Sequence, residues 1–100
     1  MNNYKTLSGK GKEIQTDIAL HPGDIIMDEL QVRDIMKSAF AEQLGMKPSH
    51  LSELLHVKRN VSAATAIKLE DLLGIKAEYW LRVQVYYNLF TERNKQTSLA

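Results

Sequence analysis

Residues 48–56 combine an apolar side with a side rich in hydrogen-bonding groups. They read Pro-Ser-His-Leu-Ser-Glu-Leu-Leu-His, and a helical rotation of about 100° per residue places Leu51, Leu54 and Leu55 together. The opposite side carries hydroxyl, carboxylate and imidazole groups, which can form hydrogen bonds with base edges in the major groove of a duplex. The residues concerned are Ser49, Ser52, Glu53 and His56, with His50 on a flank.

Cationic side chains stand on both sides of this segment. A lysine precedes it directly, where an ammonium group and the amides of a helix N-terminus can together hold a phosphate. A polar loop follows it, where contacts to the nucleic-acid backbone would add affinity rather than sequence choice. The residues concerned are Lys37 and Lys47 on one side and Lys58, Arg59 and Asn60 on the other. The segment is thus locally basic, although the whole chain has a net charge of only +1.

Ala41, Gly45 and Leu51 fit the geometry that would hold such a segment in place. Two helices that cross steeply through a short turn need a small side chain at their contact, a glycine in the turn and an apolar anchor on the second helix. Neighbouring apolar residues fall on inward positions, so that the pair can pack on other helices; these are Phe40, Leu44, Met46 and Leu54. The spacing therefore predicts a helix-turn-helix that presents its second helix to DNA.

The rest of the chain indicates an all-α fold, a compact bundle of about five helices, because no segment alternates like a strand. We expect Asp24 to cap a first helix that ends near Asp34. The helix-turn-helix pair is expected at 37–44 and 48–56. A fourth helix should lie between a Ser62 cap and Gly74, and a fifth should run from about Ala77 to Phe90.

This pattern predicts one folded domain with two extensions. Residues 1–20 lack a sustained apolar face and are expected to form a flexible N-terminal arm. Residues 21–90 are expected to form the helix-turn-helix domain with a C-terminal dimerisation helix. Residues 91–100 are expected to be a frayed tail.

Composition and spacing argue against other classes of protein. The chain has no cysteine, which excludes disulfides and thiolate metal sites and fits a cytoplasmic location. His50 and His56 do not share a helix face as paired metal ligands would, so we expect no metal. We find no phosphate-binding loop or nucleophile motif, and we therefore expect no enzyme activity and no cofactor. No apolar run is long enough to span a membrane, and we expect no membrane partner.

The fifth predicted helix is apolar around most of its circumference, with Arg82, Gln84 and Asn88 as polar breaks. A helix of this kind must be buried on more than one side, and an exposed aromatic patch on so small a protein favours pairing with another surface. We therefore expect a homodimer. Its predicted interface contains Tyr79, Trp80, Val83, Tyr86, Tyr87 and Phe90.

Residues 38–55 resemble the helix-turn-helix of the Xre and phage-repressor superfamily, which implies a lambda-repressor-like fold. Three further segments, His-Pro-Gly-Asp-Ile-Ile from residue 21, Val-Lys-Arg-Asn-Val-Ser from residue 57 and Leu-Gly-Ile-Lys-Ala-Glu-Tyr-Trp-Leu from residue 73, resemble HigA-type, VapI-like antitoxins. The resemblance implies a homodimer that binds a palindromic operator in its own promoter and neutralises a cognate HigB-like ribonuclease toxin. Lys47 departs from the pattern, because such proteins often have a Ser or Thr cap there.

Two other functions fit the same residues. A stand-alone Xre-type transcriptional repressor without a toxin would have the same sequence features. A protein-interaction adaptor could keep the helix pair without binding DNA, which the few basic residues on the recognition face would allow. A ribonuclease-like gene beside this one would distinguish the antitoxin from the repressor, and DNA affinity that falls with salt would argue against the adaptor.

Overall fold

The computed structural model describes residues 19–99, with side chains up to residue 95, and this part of the chain is entirely helical and loop. Five helices follow one another: α1 (Pro22–Val32), α2 (Lys37–Leu44), α3 (Pro48–Leu55), α4 (Ala63–Leu73) and α5 (Ala77–Leu99). The predicted all-α bundle with a helix-turn-helix is therefore confirmed. The predicted arm lies almost wholly outside the described residues.

The start of α1 differs from the prediction, since His21 and not Asp24 is the N-cap. The His21 Nδ1 atom accepts a hydrogen bond of 2.9 Å from the Gly23 amide, and the Asp24 carboxylate in turn accepts one of 3.1 Å from the His21 amide. This reciprocal pair is a capping box. The prediction failed because Asp is a preferred cap and His is not. The burial of His21, whose ring lies edge-on against Tyr87 at 4.7 Å, is a tertiary feature.

Gly23 explains how α1 approaches α3. A Cβ atom at this position would lie 2.0 Å from the Leu54 carbonyl oxygen, which is far inside the contact distance of two atoms. Only glycine therefore lets the first turn of α1 pack against the end of α3. The His-Pro-Gly-Asp segment thus supplies a buried cap, a proline at the first helical position, close approach and a capping carboxylate, one residue for each.

The turn between α2 and α3 has the predicted construction. Gly45 ends α2 with a φ of 69°, a left-handed conformation that favours glycine, and Pro48 begins α3. Ala41 and Leu51 are each only 1% exposed at the contact between the two helices. The small residue, the glycine and the apolar anchor therefore have the predicted roles.

Side chains from outside a helix complete several helix ends. The Lys68 ammonium group donates to the Leu44 carbonyl at the end of α2, at 3.0 Å. The Arg33 guanidinium donates to the Leu73 carbonyl at the end of α4, at 2.8 Å. At the start of α5 the Glu70 carboxylate accepts from the Ala77 amide at 2.7 Å. These contacts satisfy backbone groups that a helix leaves without internal partners.

Helix α4 begins and ends as predicted, whereas α5 is longer than predicted. Ser62 caps α4 by accepting from the Thr65 amide, and Gly74 ends it with a φ of 75°. Helix α5 continues past Phe90 to Leu99, so the predicted frayed tail is helical up to that residue. Its last turns lack an apolar stripe but contain good helix formers, whose backbone preference periodicity does not detect. No helix among the described residues is long and apolar enough to cross a membrane.

Candidate nucleic-acid interface

The outward face of α3 is polar and exposed. Leu51, Leu54 and Leu55 are at most 5% exposed and anchor α3 in the core, which confirms the predicted rotation of the helix. Of the predicted base-contacting residues on the other side, Ser49, Ser52, Glu53 and His56 are exposed and His50 is half-buried. The helix therefore projects a row of hydrogen-bonding groups away from the protein, as readout of base edges in a groove requires.

The starts of α2 and α3 are free of side-chain caps. Met36 and Lys47 occupy the two N-cap positions, and neither side chain accepts a hydrogen bond from the first helical turn. Lys37 and Lys47 are both exposed beside these turns. Uncapped amides at a positive helix end next to an ammonium group are suited to bind an anion such as a phosphate.

A shallow cleft of about 250 Å³ lies between the start of α2 and the outer side of α3. The exposed Pro48 and the edges of Leu51 and Leu55 form its apolar lining. Polar side chains of the predicted site also line it, namely Lys37, Ser52 and His56. Apolar surface beside polar groups is suited to the methyl group of a thymine, which apolar side chains contact in the major groove.

Glu53 and Arg59 are paired with each other. The Arg59 Nη2 and Nε atoms donate to the Glu53 carboxylate at 2.7 and 3.1 Å, and both side chains are nearly half exposed. The Arg59 guanidinium, through this hydrogen bond, lowers the pKa of Glu53. Glu53 was predicted to contact a base and Arg59 to contact the DNA backbone, each independently of the other. In the structure the two side chains are bound to each other as an ion pair. Each can direct all of its hydrogen-bonding groups to DNA only when this pair opens.

His56 presents one defined ring nitrogen to its own helix. Its Nδ1 atom lies 2.7 Å from the Ser52 carbonyl oxygen, which can only accept, so Nδ1 carries the hydrogen. In the neutral ring Nε2 is then an acceptor. His56 is exposed at the C-cap of α3. It can therefore accept a hydrogen bond from a base amino group when neutral and donate one when protonated.

The loop after α3 leaves the helix through a strained turn. Val57 has a φ of 65°, a left-handed conformation that a β-branched residue rarely adopts. The Lys58 amide donates to the Glu53 carbonyl at 2.7 Å, which closes the turn. Lys58 and Arg59 are exposed beyond it. Asn60 is also exposed, but its Oδ1 atom accepts from Gln84 of α5 at 3.1 Å, a structural contact that was not predicted from the sequence.

The predicted dimer surface on α5 changes in one important respect. Trp80 is 0% exposed and its Nε1 donates to the Ile75 carbonyl at 3.0 Å, so this residue belongs to the core and not to an interface. Tyr79 and Tyr86 are 40% and 64% exposed, while Val83, Tyr87 and Phe90 are half-buried. Two exposed apolar residues of α5, Val85 at 52% and Leu89 at 41%, were not among the predicted interface residues. A spacing of four residues between them was available as a signal.

This geometry defines a class: two short helices in a tight turn, with the second exposing its polar side, form a helix-turn-helix domain. Residues 33–80 match the family model HTH_3, described as helix-turn-helix. Among the described residues no group of three or more His, Asp or Glu side chains could hold a metal ion.

Sequence and structure comparisons narrow this class. Virulence-associated protein I of Dichelobacter nodosus is 35% identical over 79% of this chain and 75% of its own length. Antitoxin HigA-1 of Vibrio cholerae is 32% identical over 66% of this chain and 72% of its own. Antitoxin HigA of Pseudomonas aeruginosa, solved with the higBA promoter, superimposes with a TM-score of 0.75 at 29% identity, covering 82% of this chain and 90% of that one. The chain belongs to this family of Xre-type, HigA-like proteins, which is not an enzyme family.

Proposed function

We propose that this protein binds an operator in its own promoter, represses its operon and neutralises a ribonuclease toxin made from the same operon. The observation that carries the DNA-binding part is the exposed polar face of α3. The uncapped starts of α2 and α3 lie at one end of this face, and the loop of Lys58 and Arg59 follows at the other. The similar HigA of Pseudomonas aeruginosa was solved with its promoter. That a similar protein was solved with promoter DNA supports DNA binding by this chain.

In this proposal α3 lies in the major groove and the surrounding groups hold the backbone. The exposed side chains of α3 contact base edges, and the first turns of α2 and α3 hold phosphates through their amides and lysines. Lys58 and Arg59 contact the backbone beyond the end of α3. The set assigned to DNA is thus Lys37, Lys47, Ser49, His50, Ser52, Glu53, His56, Lys58, Arg59 and Asn60, with Asn60 acting chiefly through its contact to α5.

Two copies of the chain would pair through α5. Its exposed apolar residues Tyr79, Val85, Tyr86 and Leu89 lie on one side of the helix around Arg82, and a second copy would remove their apolar surface from water. A twofold axis through such a contact could place two α3 helices one DNA turn, roughly 34 Å, apart. A palindromic operator follows from that symmetry.

The DNA-binding part is tested by footprinting the promoter region of the operon with purified protein. We expect protection of two half-sites separated by about one helical turn, and an affinity that falls steeply with salt. A protein that leaves the promoter unprotected at low salt, or whose binding is independent of salt, would be an adaptor rather than a repressor.

The antitoxin part is tested by co-expression. Expression of the neighbouring gene alone should arrest growth and degrade mRNA, and co-expression of this chain should restore growth. The matched control is a variant with Arg59→Ala, which weakens DNA binding and leaves α5 unchanged, and it should still restore growth. If no neighbouring product is toxic, the protein is a stand-alone repressor.

A further inference from the structure

Gln84 is a buried polar residue in the middle of α5. It is 4% exposed, whereas most of the other buried side chains of the described core are apolar. Its amide group is used at both ends. The Oε1 atom accepts from the Val61 amide at 2.8 Å, and the Nε2 atom donates to Asn60 Oδ1 at 3.1 Å and to Asn88 Oδ1 at 3.0 Å. Two of its three partners belong to the loop that follows α3.

The orientation of this amide is fixed by its partners. The backbone N–H of Val61 can only donate, so it must face the carbonyl oxygen of Gln84. The NH₂ group then points to the two asparagines, and both of its hydrogens are used. Val61 is 4% exposed, and a buried amide without a partner is costly. Gln84 therefore fixes the chain at Val61 and, one residue earlier, at Asn60.

The loop that Gln84 holds is strained at its other end. Val57 has its left-handed φ of 65° directly after α3, and the Lys58 amide is bound back to the Glu53 carbonyl. Such a conformation persists only when the surrounding structure holds the chain on both sides. Lys58 and Arg59 lie between the strained turn and the Gln84 contact, and both are exposed. Their position relative to α3 is thus set by these two anchors.

We propose that Gln84 is a positioning residue for DNA binding. Through its contacts to Asn60 and Val61 it holds the loop where Lys58 and Arg59 can contact the phosphate backbone. The inference rests on the proposed function, since it requires that this loop contacts DNA. Gln84 itself is buried and contacts no nucleic acid. It links the loop to α5, the helix that carries the proposed dimer surface.

The test replaces Gln84 by an apolar side chain of similar length. Gln84→Met removes both ends of the amide while keeping most of the volume. The control is Asn88→Ala on the same helix, which removes one partner of Gln84 and leaves both loop contacts. Both variants are compared with the unsubstituted protein well below their unfolding temperatures, on a duplex of the operon's promoter region and on a random-sequence duplex of equal length.

For Gln84→Met we expect promoter affinity to fall about ten-fold and the slope of log affinity against log salt to decrease by about one, as for one lost phosphate contact. Affinity for the random duplex should fall similarly, because the loop contacts the backbone and not the bases. The Val61 amide hydrogen should exchange about five- to ten-fold faster. Asn88→Ala should change none of these quantities appreciably.

Two results would overturn the proposal: unchanged affinity and salt slope in Gln84→Met, or equal losses in both variants, which would indicate a general effect on α5. If Gln84→Met does not fold, hydrogen exchange in the unsubstituted protein tests the proposal. A Val61 amide that exchanges as fast as a solvent-exposed amide would exclude the proposed contact from Gln84. If the unsubstituted protein does not bind the promoter duplex, the proposed function itself fails. That result differs from a failure of Gln84→Met alone.

Discussion

The starts of the first four helices fall into two groups. Helices α1 and α4 begin with side-chain caps, His21 with Asp24 in the first and Ser62 in the second. Helices α2 and α3 begin at Met36 and Lys47, whose side chains make no capping bond. The capped starts belong to the helices that precede and follow the helix-turn-helix pair in the sequence. The uncapped ones belong to the helix-turn-helix pair.

The difference separates stability from function. A capping side chain adds roughly 1 kcal/mol to a helix, so α2 and α3 forgo that stabilisation at their starts. Their amides are left for another acceptor, and under the proposed function that acceptor is a phosphate. Substitutions at the two groups should therefore act in opposite ways: caps should matter for folding, and uncapped starts should matter for DNA.

The largest effect is expected from Leu51→Ala, which removes a buried side chain that holds α3 with its polar side toward solvent. Leu51 is 1% exposed, and the cavity should lower the free energy of unfolding by about 2–5 kcal/mol. Chemical denaturation measures this change. Ser49→Ala on the exposed side of the same helix is the control and should leave stability nearly unchanged. Equal effects of the two substitutions would contradict the orientation of α3.

The cap of α1 should make stability depend on pH. Burial lowers the pKa of His21 below 6.5, although the charge of Asp24 opposes this shift. As the pH falls, the unfolded chain therefore binds the proton first, so the contribution of His21 is complete above pH 6.5 and is lost progressively below it.

Denaturation of His21→Asn and His21→Ala tests this dependence. Asparagine keeps a capping oxygen without titrating, and its stability should fall less than that of the unsubstituted protein between pH 7 and about pH 5. Alanine removes the cap and should cost about 1–2 kcal/mol at pH 8. A pH profile unchanged in His21→Asn would show that other groups cause the dependence.

A cap introduced at α3 should separate the two properties. Lys47→Ser supplies a capping hydroxyl and should raise the free energy of unfolding by about 0.5–1 kcal/mol, while promoter affinity falls because an ammonium group and free amides are lost. Lys47→Ala, which removes the charge without adding a cap, is the matched control and should bind DNA better than Lys47→Ser. Ser62→Ala should do the reverse, with about 1 kcal/mol less stability and unchanged DNA affinity. A lower free energy of unfolding in Lys47→Ser would contradict the view that the start of α3 gives up the stabilisation of a cap.

The smallest effect is expected from Glu53→Gln, which removes the negative charge of the pair and weakens the hold on Arg59, although the amide oxygen can still accept a hydrogen bond. We expect affinity for promoter and random duplexes to rise together, by about two- to threefold, with an unchanged unfolding temperature. Titration of both duplexes at several salt concentrations measures this. A loss of discrimination at a single base pair would show that Glu53 contacts a base once the ion pair has opened, whereas unchanged affinity for both duplexes would contradict the prediction.

Local signals in the sequence predicted the centre of the fold. Gly45, Pro48, Ser62 and Gly74 mark the ends of α2, α3 and α4 through conformations and hydrogen bonds that involve only near neighbours. The rotation of α3 followed from three leucines on one side. The polar side of that helix could therefore be named from the sequence, although its contacts to DNA stay a prediction.

The remaining features depend on contacts between distant residues. Gln84 was interpreted as a polar break, but its partner Val61 is brought against it by the packing of α4 on α5. Trp80 was assigned to a dimer because periodicity cannot tell a core face from an interface face. Arg59 meets Glu53 only because the chain reverses at Val57, where no glycine marks the turn.

Several helix ends are completed by side chains from other parts of the chain, and this limits which segments can be transferred to another protein. Helices α2 and α3 have eight residues each, too short to persist alone, and the last carbonyl of α2 depends on an ammonium group from α4. A transfer of residues 37–55 into another scaffold would omit the Lys68 donor and the buried leucines of α4, Leu69 and Leu73. The smallest transferable DNA-binding unit therefore extends from α1 through α4, and DNA specificity is better changed by substituting side chains of α3 in place.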